Sequence, residues 1–244
     1  NNDSWIQIGD VGILEYVFRW SRIESDFQSK QIGIIFLDEQ AIINEIVFLT
    51  YDNQIITPIN VNTYPELFDE QEKHPTYNSY FYGSIFDEIY HVRAAYEINA
   101  GIPAIKTNHP YLGNEIIGLG IKIFGMNPYG WRFFPVMFGA LMIPVFYIFL
   151  RKISNDILTA FIGTFIFVFD FMHLSLSRLG TVDTVVAALI LLMYLFMFIF
   201  FQKNKAKSRY SIVFFALSGL FMGLGIATKY TAAFAGLGLG ILFS

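Results

Sequence analysis

The second half of the chain carries a series of apolar segments whose lengths approach the thickness of a lipid bilayer. Four of them, at residues 133–150, 157–174, 184–201 and 210–228, are separated by short polar loops, and a fifth runs from 231 to 244. A helix needs ~20 apolar residues, within a range of about 17–25, to cross a hydrocarbon core of ~30 Å. We therefore predict a membrane all-α fold, a multi-span helical bundle, for this part of the chain.

Composition divides the chain in the same way. Charged residues make up 15% of the 244 residues, whereas an ordinary soluble domain carries about 25%. Residues 1–110 have the composition of a polar domain, and residues 128–244 that of a lipid-embedded one. The basic residues form no stripe that could follow a nucleic acid, so we predict no nucleic-acid partner. Cysteine is absent, which excludes a disulfide framework, a thiolate metal site and a cysteine nucleophile.

Both ends of the sequence predict a fragment of a longer protein. The start, Asn1-Asn2-Asp3-Ser4, has neither the basic nor the apolar region of a signal peptide. The last apolar segment stops at Ser244. A polar domain outside the membrane would then need an upstream spanning helix to deliver it.

Residues 1–79 are predicted to form a β-sandwich-like module followed by a linker. Asp52-Asn53 lies between two apolar runs and predicts a hairpin turn. The polar, turn-rich residues 66–80 are interpreted as the linker. The module is expected to be a structural lid on the membrane domain or, alternatively, a glycan- or peptide-binding unit. The predicted strands are residues 12–18, 31–37, 45–49 and 54–59.

Basic loops predict how the remaining residues, 80–244, are oriented. Arg151-Lys152 follows the first span and the Lys203–Arg209 cluster follows the third, so alternation places both loops on one side. The positive-inside rule makes that side cytoplasmic. The polar segment 80–132 and the loop 175–183 are then extracytoplasmic. The apolar run 112–125, about 21 Å as a helix, is too short to span and is expected at the interface or in a re-entrant position.

An acidic pair, Asp87-Glu88, stands near the start of a predicted helix over residues 86–99. Neighbours on a helix diverge by about 100°, so one carboxylate can face a cleft while the other braces the backbone or pairs with a cation. The alternative is an acid that complements the helix dipole. His91 and His109 could join such acids in a metal site, but more ligands would be needed. We therefore predict no metal and interpret His91 as a hydrogen-bonded interfacial histidine.

Cationic side chains lie near the ends of the predicted spans. Arg178 and Asp183 fall at the mouth between two spans, where ionisable groups usually face a cavity or a partner. Arg178 could bind phosphate with its planar fork, or it could snorkel or pair with Asp183. Arg132, beside Trp131, is expected to anchor the chain at the membrane interface or to contact substrate. Lys229 could be an anchor or a second phosphate contact.

Together these residues resemble the protein O-mannosyltransferase family (glycosyltransferase family 39) of the GT-C superfamily, from about Tyr80 to Lys229. Phe86-Asp87-Glu88 resembles the family's Phe-Asp-Glu motif. The segment from His109 to Asn114 resembles its His-Pro-Pro-Leu-Gly-Lys motif, with Tyr111 and Asn114 departing from it. Phe124 to Arg132 is similar to the start of the following span, and Ser177-Arg178 with Asp183 is similar to a Ser-Arg-x-x-x-x-Asp element.

The resemblance implies an integral-membrane enzyme that transfers mannose from a polyprenyl phosphate to Ser or Thr hydroxyls, with inversion and without a metal or other cofactor. A hydroxyl nucleophile needs a positioned base, and we assign Asp87 to that role, with Glu88 positioning the acceptor or the backbone. The leaving phosphate has a pKa of about 6 and needs a cation rather than an acid, a role that Arg178 could fill. The remaining residues predicted to bind substrate are His91, His109, Arg132, Asp183 and Lys229.

The resemblance leaves the acceptor and the activity open. One alternative is a related GT-C transferase that acts on lipid A or a cell-wall glycan. Another is an inactive, membrane-anchored glycan-binding protein, which the loss of the motif's Lys at Asn114 would favour. In each case we predict a bacterial plasma-membrane protein with the N-terminal module and the catalytic loop outside the cytoplasm.

Overall fold

The computed structural model of the chain consists of two compact units, Asn1–Gly83 and Ser84–Ser244. The residues that it describes are 5–9, 20–26, 28–35, 43, 45–76, 79–104, 108–205 and 209–243. The first unit contains a small sheet and short turns, and the second is helical.

The sheet of the first unit is one antiparallel hairpin. Strands β1 (Phe48–Leu49) and β2 (Ile55–Ile56) pair so that Phe48 faces Ile56 and Leu49 faces Ile55. The turn between them closes with hydrogen bonds from Asn53 N to Thr50 O and from Thr50 N to Gln54 O, both 2.9 Å long. Asn53 has a φ of 59°, a left-handed conformation that asparagine adopts more readily than most residues. The hairpin predicted at Asp52-Asn53 is confirmed.

The larger β-sandwich stays a prediction. Residues 31–35 are not part of a strand, so the strand predicted over 31–37 is wrong for that stretch. The strand predicted over 12–18 lies outside the described residues. The linker folds into short 3₁₀ turns at Pro65–Leu67 and Gln71–Lys73. These turns are tied to the hairpin's leading residues, since Ile46 N donates to Leu67 O at 2.9 Å.

The second unit is a helical bundle with three helices long and apolar enough to cross a membrane, among the residues described. They are the third, sixth and seventh helices in chain order. The predicted helical fold is confirmed for this part of the chain, and the length and composition of these three helices fit a multi-span arrangement. The helices are α1 (Glu88–Asn99), α2 (Leu112–Phe124), α3 (Pro128–Ser154), α4 (Ile157–Val168), α5 (Phe171–Leu176), α6 (Val182–Lys205), α7 (Ser211–Thr228) and α8 (Ala232–Phe243).

Helix α3 begins at Pro128, ahead of the span predicted from 133. The Asn127 side chain accepts a hydrogen bond from Gly130 N at 3.0 Å, and proline at the first helical position already has the required φ. Trp131 and Arg132 therefore lie on the first turns of a helix and not in the loop predicted to extend to 132. At 27 residues, α3 is about 40 Å long and exceeds a ~30 Å hydrocarbon core.

The second predicted span, 157–174, is not one continuous helix. Helix α4 ends at Val168 after 12 residues, about 18 Å. Asp170 then leaves helical geometry and its carboxylate accepts from His173 N at 2.9 Å, which caps α5. Aspartate favours such capping over the interior of a helix. Because α4 is shorter than the hydrocarbon core, it does not cross a bilayer alone.

Helices α3 and α6 run parallel, and α7 returns antiparallel to α6. Near the carboxyl ends of α3 and α6, Gln202 Nε2 donates to Lys152 O at 3.5 Å. Along α6 and α7, Ser218 Oγ donates to Met193 O at 2.9 Å. A core cluster of Val145, Leu195 and Ile199 joins α3 to α6. The basic ends of α3 and α6 therefore lie at the same end of the unit, as their alternation predicts.

The opposite end of the bundle brings together α2, the start of α6 and the end of α7. A Cβ on Gly113, in the first turn of α2, would lie 2.5 Å from a methyl of Val182 and 3.0 Å from a methyl of Thr228. Farther along α2, a Cβ on Gly120 would lie 2.2 Å from the carbonyl oxygen of Gly130. Glycine at these two positions lets α2 pack directly against its neighbours.

Because the chain has no cysteine, single cysteines can test this arrangement in membranes. Ser154→Cys and Lys203→Cys lie at one end of the unit and Tyr111→Cys at the other, and all three positions are exposed. We expect a membrane-impermeant maleimide to modify the first two from one face of sealed vesicles and Tyr111→Cys only from the opposite face. Modification of Ser154→Cys and Lys203→Cys from different faces would contradict the parallel arrangement of α3 and α6. Labelling of all three after detergent addition is the control for reactivity.

Candidate functional site

A buried ion pair joins the start of α1 to the start of α3. Arg132 Nε donates to Glu88 Oε1 and Arg132 Nη2 donates to Glu88 Oε2, both at 2.7 Å. The contact is bidentate, the geometry in which a guanidinium binds a carboxylate most strongly. Glu88 is 0% exposed. The pair therefore fixes the acidic segment against α3.

Two backbone amides complete the coordination of the Glu88 carboxylate. Gly180 N donates to Oε1 at 2.6 Å and Ile85 N donates to Oε2 at 2.8 Å. A Cβ on Gly180 would lie 2.7 Å from the Trp131 ring and 3.4 Å from Glu88 Oε1, so only glycine fits this approach. One side chain thus ties together the acidic segment, helix α3 and the loop between α5 and α6.

With two donors on each oxygen, the Glu88 carboxylate has its hydrogen-bonding capacity filled. It has no lone pair left for a substrate proton. Arg132, expected to anchor the chain at the interface or to contact substrate, points its guanidinium at this carboxylate. Both side chains therefore belong to the framework of the site.

Asp87, one residue earlier, has a different environment. It occupies the N-cap position of α1 with φ −68° and ψ −5°, and its side chain does not cap the helix. The carboxylate is half-buried. Asp87 therefore makes no capping hydrogen bond, but its place at the start of α1 is compatible with the alternative of an acid that complements the helix dipole. Phe86, just before it, has a φ of 55° and is 65% exposed, a strained conformation for a bulky residue of a kind that clusters at functional sites.

Arg178 lies on the loop that donates to Glu88. It is exposed and stands two residues before Gly180. The Arg178–Asp183 ion pair considered from the sequence is not formed, because Asp183 Oδ1 instead accepts from Lys229 Nζ at 2.6 Å. Lys229 is thereby engaged with a carboxylate and joins the start of α6 to the end of α7. Within the described part of the chain, the Arg178 guanidinium has no ion-pair partner.

Two histidines meet beside the acidic segment. The rings of His91 on α1 and His109 before α2 are stacked at 17°, with centroids 6.1 Å apart. His91 Nδ1 lies 3.0 Å from Asn114 Oδ1 on the first turn of α2. Among the described residues, His109 Nδ1 is buried without a hydrogen-bond partner. The interpretation of His91 as a hydrogen-bonded histidine agrees with this geometry.

Burial lowers the pKa of His91 below its ordinary value. The hydrogen bond to Asn114 and the charges of Asp183 and Asp87 act in the opposite direction, whereas His109 lowers the pKa further. An imidazole with a lowered pKa is neutral at pH 7. In the described part of the chain, no group of three or more His, Asp or Glu side chains is arranged to hold a metal ion.

An apolar groove of about 430 Å³ lies between α3 and α4. Its lining includes Pro144 of α3 and Phe169, the residue that follows the end of α4. The full lining is Ile143, Pro144, Tyr147, Phe161, Thr164, Phe165, Val168 and Phe169.

The structure brings the sequence-predicted site residues to one end of the bundle. Asp87 and Arg178 are linked through Glu88 and Gly180, while Asp183 and Lys229 pair with each other. Sequence reasoning missed Gly180 as a backbone donor and Asn114 as the partner of His91. Gly180, and Asn114 in place of the motif's lysine, are visible in the sequence. Neither residue identifies its partner, because Glu88 and His91 are distant from them in sequence.

Comparison with known proteins gives several related sequences. A polyprenol-phosphate-mannose–protein mannosyltransferase of Corynebacterium glutamicum is 30% identical over 118 residues, 43% of this chain and 23% of the relative. A protein of the same name from Mycobacterium tuberculosis is 27% identical over 107 residues, 41% of this chain and 20% of the relative. An uncharacterised protein of Aquifex aeolicus is 27% identical over 139 residues, 57% of this chain and 26% of the relative.

The chain thus spans about a quarter or less of the length of the curated relatives it matches. No solved structure matches it. A family profile described as dolichyl-phosphate-mannose-protein mannosyltransferase matches residues 96–244, more than half of the chain, beginning after Asp87-Glu88. The chain belongs to this protein mannosyltransferase family, as the resemblance predicted.

Proposed function

We propose that the protein transfers mannose from a polyprenyl phosphate to Ser or Thr hydroxyls of proteins at the membrane. Family membership supports the reaction class, and the names of the relatives support the donor and the acceptor. The observation that carries the proposal is the 2.6 Å hydrogen bond from Gly180 N to Glu88, which holds the loop of Arg178 against the segment of Asp87. This contact supports the proposal that the Asp87 carboxylate and the Arg178 guanidinium, which has no ion-pair partner among the described residues, belong to one site.

Asp87 is the general base in this proposal. A Ser or Thr hydroxyl is a weak nucleophile and requires proton removal as it attacks. The acceptor oxygen forms a bond to the anomeric carbon, its proton moves to the Asp87 carboxylate, and the bond from that carbon to the phosphate oxygen breaks. Attack opposite to the leaving group inverts the anomeric configuration. Glu88 cannot share this role because its carboxylate is saturated.

Arg178 stabilises the departing phosphate. The electron pair of the broken bond leaves on a phosphate group whose pKa is about 6, so no acid has to protonate it. A guanidinium placed where negative charge develops lowers the barrier. Glu88 and Arg132 act as positioning residues that fix the distance between base and cation. His91 and His109 lie at the same end of the bundle as these groups. The Asp183–Lys229 ion pair joins the start of α6 to the end of α7 there.

The apolar groove between α3 and α4 suits the polyprenyl tail of the donor. Its lining is almost entirely apolar side chains, and it lies within the lipid-embedded part of the bundle. The positive-inside rule supports a cytoplasmic position for the end of the unit that carries the basic ends of α3 and α6. The proposed site lies at the other end, for which we therefore propose the extracytoplasmic face. Labelling Tyr111→Cys from the outside of intact cells tests this orientation.

Asp87→Asn removes the base while preserving the size of the side chain. We expect mannose transfer from polyprenyl-phosphate mannose to an acceptor peptide to fall by about 10²–10⁴-fold, the usual contribution of general base catalysis. The exposed Glu115→Gln variant, which also removes one negative charge, should keep its activity. Near-normal transfer by Asp87→Asn would reject Asp87 as the base. Labelled product recovered in lipid or glycan rather than in protein would reject the protein acceptor.

Glu88→Gln breaks the buried ion pair and leaves the Arg132 guanidinium without its carboxylate. Removing one partner of a buried pair costs about 3–5 kcal/mol, so the melting temperature in detergent should fall markedly. Glu115→Gln is the matched control, since its exposed carboxylate should contribute little. An unchanged melting temperature for Glu88→Gln would contradict the framework role of the pair.

Arg178→Ala removes the proposed phosphate contact. We expect kcat/KM for the lipid-linked donor to fall by about 10²–10³-fold, in line with the loss of one charge-stabilising donor, while the melting temperature stays unchanged because the side chain is exposed. Arg151→Ala, at the opposite end of the bundle, is the control and should have wild-type kinetics. Wild-type kcat/KM for Arg178→Ala would exclude the guanidinium from the reaction.

A further inference from the structure

We propose that Asn114 holds His91 as the Nδ1-protonated tautomer, so that the bare Nε2 accepts a hydrogen bond from a hydroxyl group of the transferred sugar. This inference rests on the proposed function for the identity of that sugar. It assigns His91 to the neutral part of the donor and leaves the phosphate to Arg178.

The tautomer follows from the chemistry of the amide. An amide oxygen can only accept a hydrogen bond, and His91 Nδ1 lies 3.0 Å from Asn114 Oδ1; with the amide in this orientation, Nδ1 is the donor and carries the proton. Asn114 is 2% exposed and His91 9% exposed, on helices α1 and α2 that pack together. The hydrogen bond is therefore shielded from water and fixes the ring's orientation. The same helices are joined again farther along, where Asn99 Nδ2 donates to Gly118 O at 2.8 Å.

Nε2 is the ring nitrogen that remains available. Among the described residues, the hydrogen-bond contact of the His91 ring is at Nδ1 and not at Nε2. In a neutral ring protonated at Nδ1, Nε2 presents a lone pair and no proton. It can accept from a hydroxyl group, but it offers nothing to a phosphate oxygen, which is itself an acceptor.

The surroundings of the ring support its neutral state. The titratable groups that face it are Asp87 from its own helix, Asp183 from α6 and His109 from the segment before α2. Asp183 is paired with Lys229 at 2.6 Å, which offsets its charge. The stacked His109 disfavours a second positive charge, and burial disfavours the charged form further.

The residue at position 114 determines whether His91 Nε2 accepts or donates a hydrogen bond. The motif that this segment resembles carries lysine there, and a lysine ammonium is a donor without acceptor capacity. A donor facing Nδ1 would require the opposite tautomer, with the proton on Nε2. With asparagine at position 114, His91 Nε2 accepts a hydrogen bond and would contact the hydrogen of a sugar hydroxyl group. With lysine there, Nε2 would carry a proton and would contact the hydroxyl oxygen instead.

Donor binding separates a sugar contact from a phosphate contact. In detergent, we expect His91→Leu to weaken binding of polyprenyl-phosphate mannose at least tenfold and to leave binding of polyprenyl phosphate unchanged. His91→Gln places an amide near the Nε2 position and should retain most of the affinity for the mannosylated donor. Equal loss for both ligands, or a defect confined to the acceptor-peptide KM, would overturn the assignment. Failure of the wild-type protein to bind either lipid would instead reject the proposed function.

The tautomer is tested by ¹⁵N NMR of histidine-labelled protein and by the pH dependence of donor binding. Wild-type His91 should show a protonated Nδ1 and an unprotonated Nε2, and Asn114→Leu should lose this signature. Asn114→Asp places a carboxylate beside Nδ1, which raises the pKa of His91, so the loss of donor binding at low pH should begin at a higher pH. Asn99→Ala, which removes the other hydrogen bond between α1 and α2, should lower stability without moving this pH profile. An Nε2-protonated ring in the wild type would overturn the proposal.

Discussion

The position of every proposed reacting group depends on one buried carboxylate. Glu88 is enclosed completely and accepts four hydrogen bonds, two from Arg132 and one each from the amides of Gly180 and Ile85. A buried ion pair is weak evidence of net stability, because desolvation offsets much of the attraction. Its geometric effect is firmer, since four donors from three parts of the chain converge on two oxygens. That convergence sets the position of Asp87 on one side and of Arg178 on the other.

The charged side chains around Glu88 fall into two sets, those that form ion pairs between helices and those that are proposed to take part in the reaction. Glu88 is satisfied by Arg132, and Asp183 by Lys229. The first pair joins the starts of α1 and α3, and the second joins the start of α6 to the end of α7. Ion pairs fix the relative position of two helices more specifically than apolar contacts do. Asp87 and Arg178 have no ion-pair partner in the described part of the chain, and the His91 ring is neutral and oriented by an amide. The groups that support the site are thus distinct from those proposed to face a substrate.

The sequence predicted the helices better than the contacts between them. Apolar length identifies α6 and α7 because a bilayer imposes a single thickness. The same rule wrongly predicted one span over α4 and α5. It counts apolar length and overlooks Asp170, which caps α5 and so interrupts the helix. It also began α3 too late, because Asn127 and Pro128 start the helix through local hydrogen bonding and φ rather than through hydrophobicity. The Asp183–Lys229 pair was missed for another reason: its members lie 46 residues apart, and nothing in a single sequence favours Lys229 over the nearer Arg178.

The acidic pair Asp87-Glu88 was likewise recognisable in the sequence, whereas its contacts were not. Its two carboxylates are adjacent and chemically alike, and the sequence predicted that one can face a cleft while the other braces the backbone or pairs with a cation. The identity of that cation required the fold, because Arg132 lies 44 residues from Glu88. This spacing has an evolutionary consequence. A replacement that removes the charge at position 88 or at position 132 alone deletes one partner of this buried ion pair. Natural variants that lack the charge at one of the two positions are therefore expected to lack it at the other.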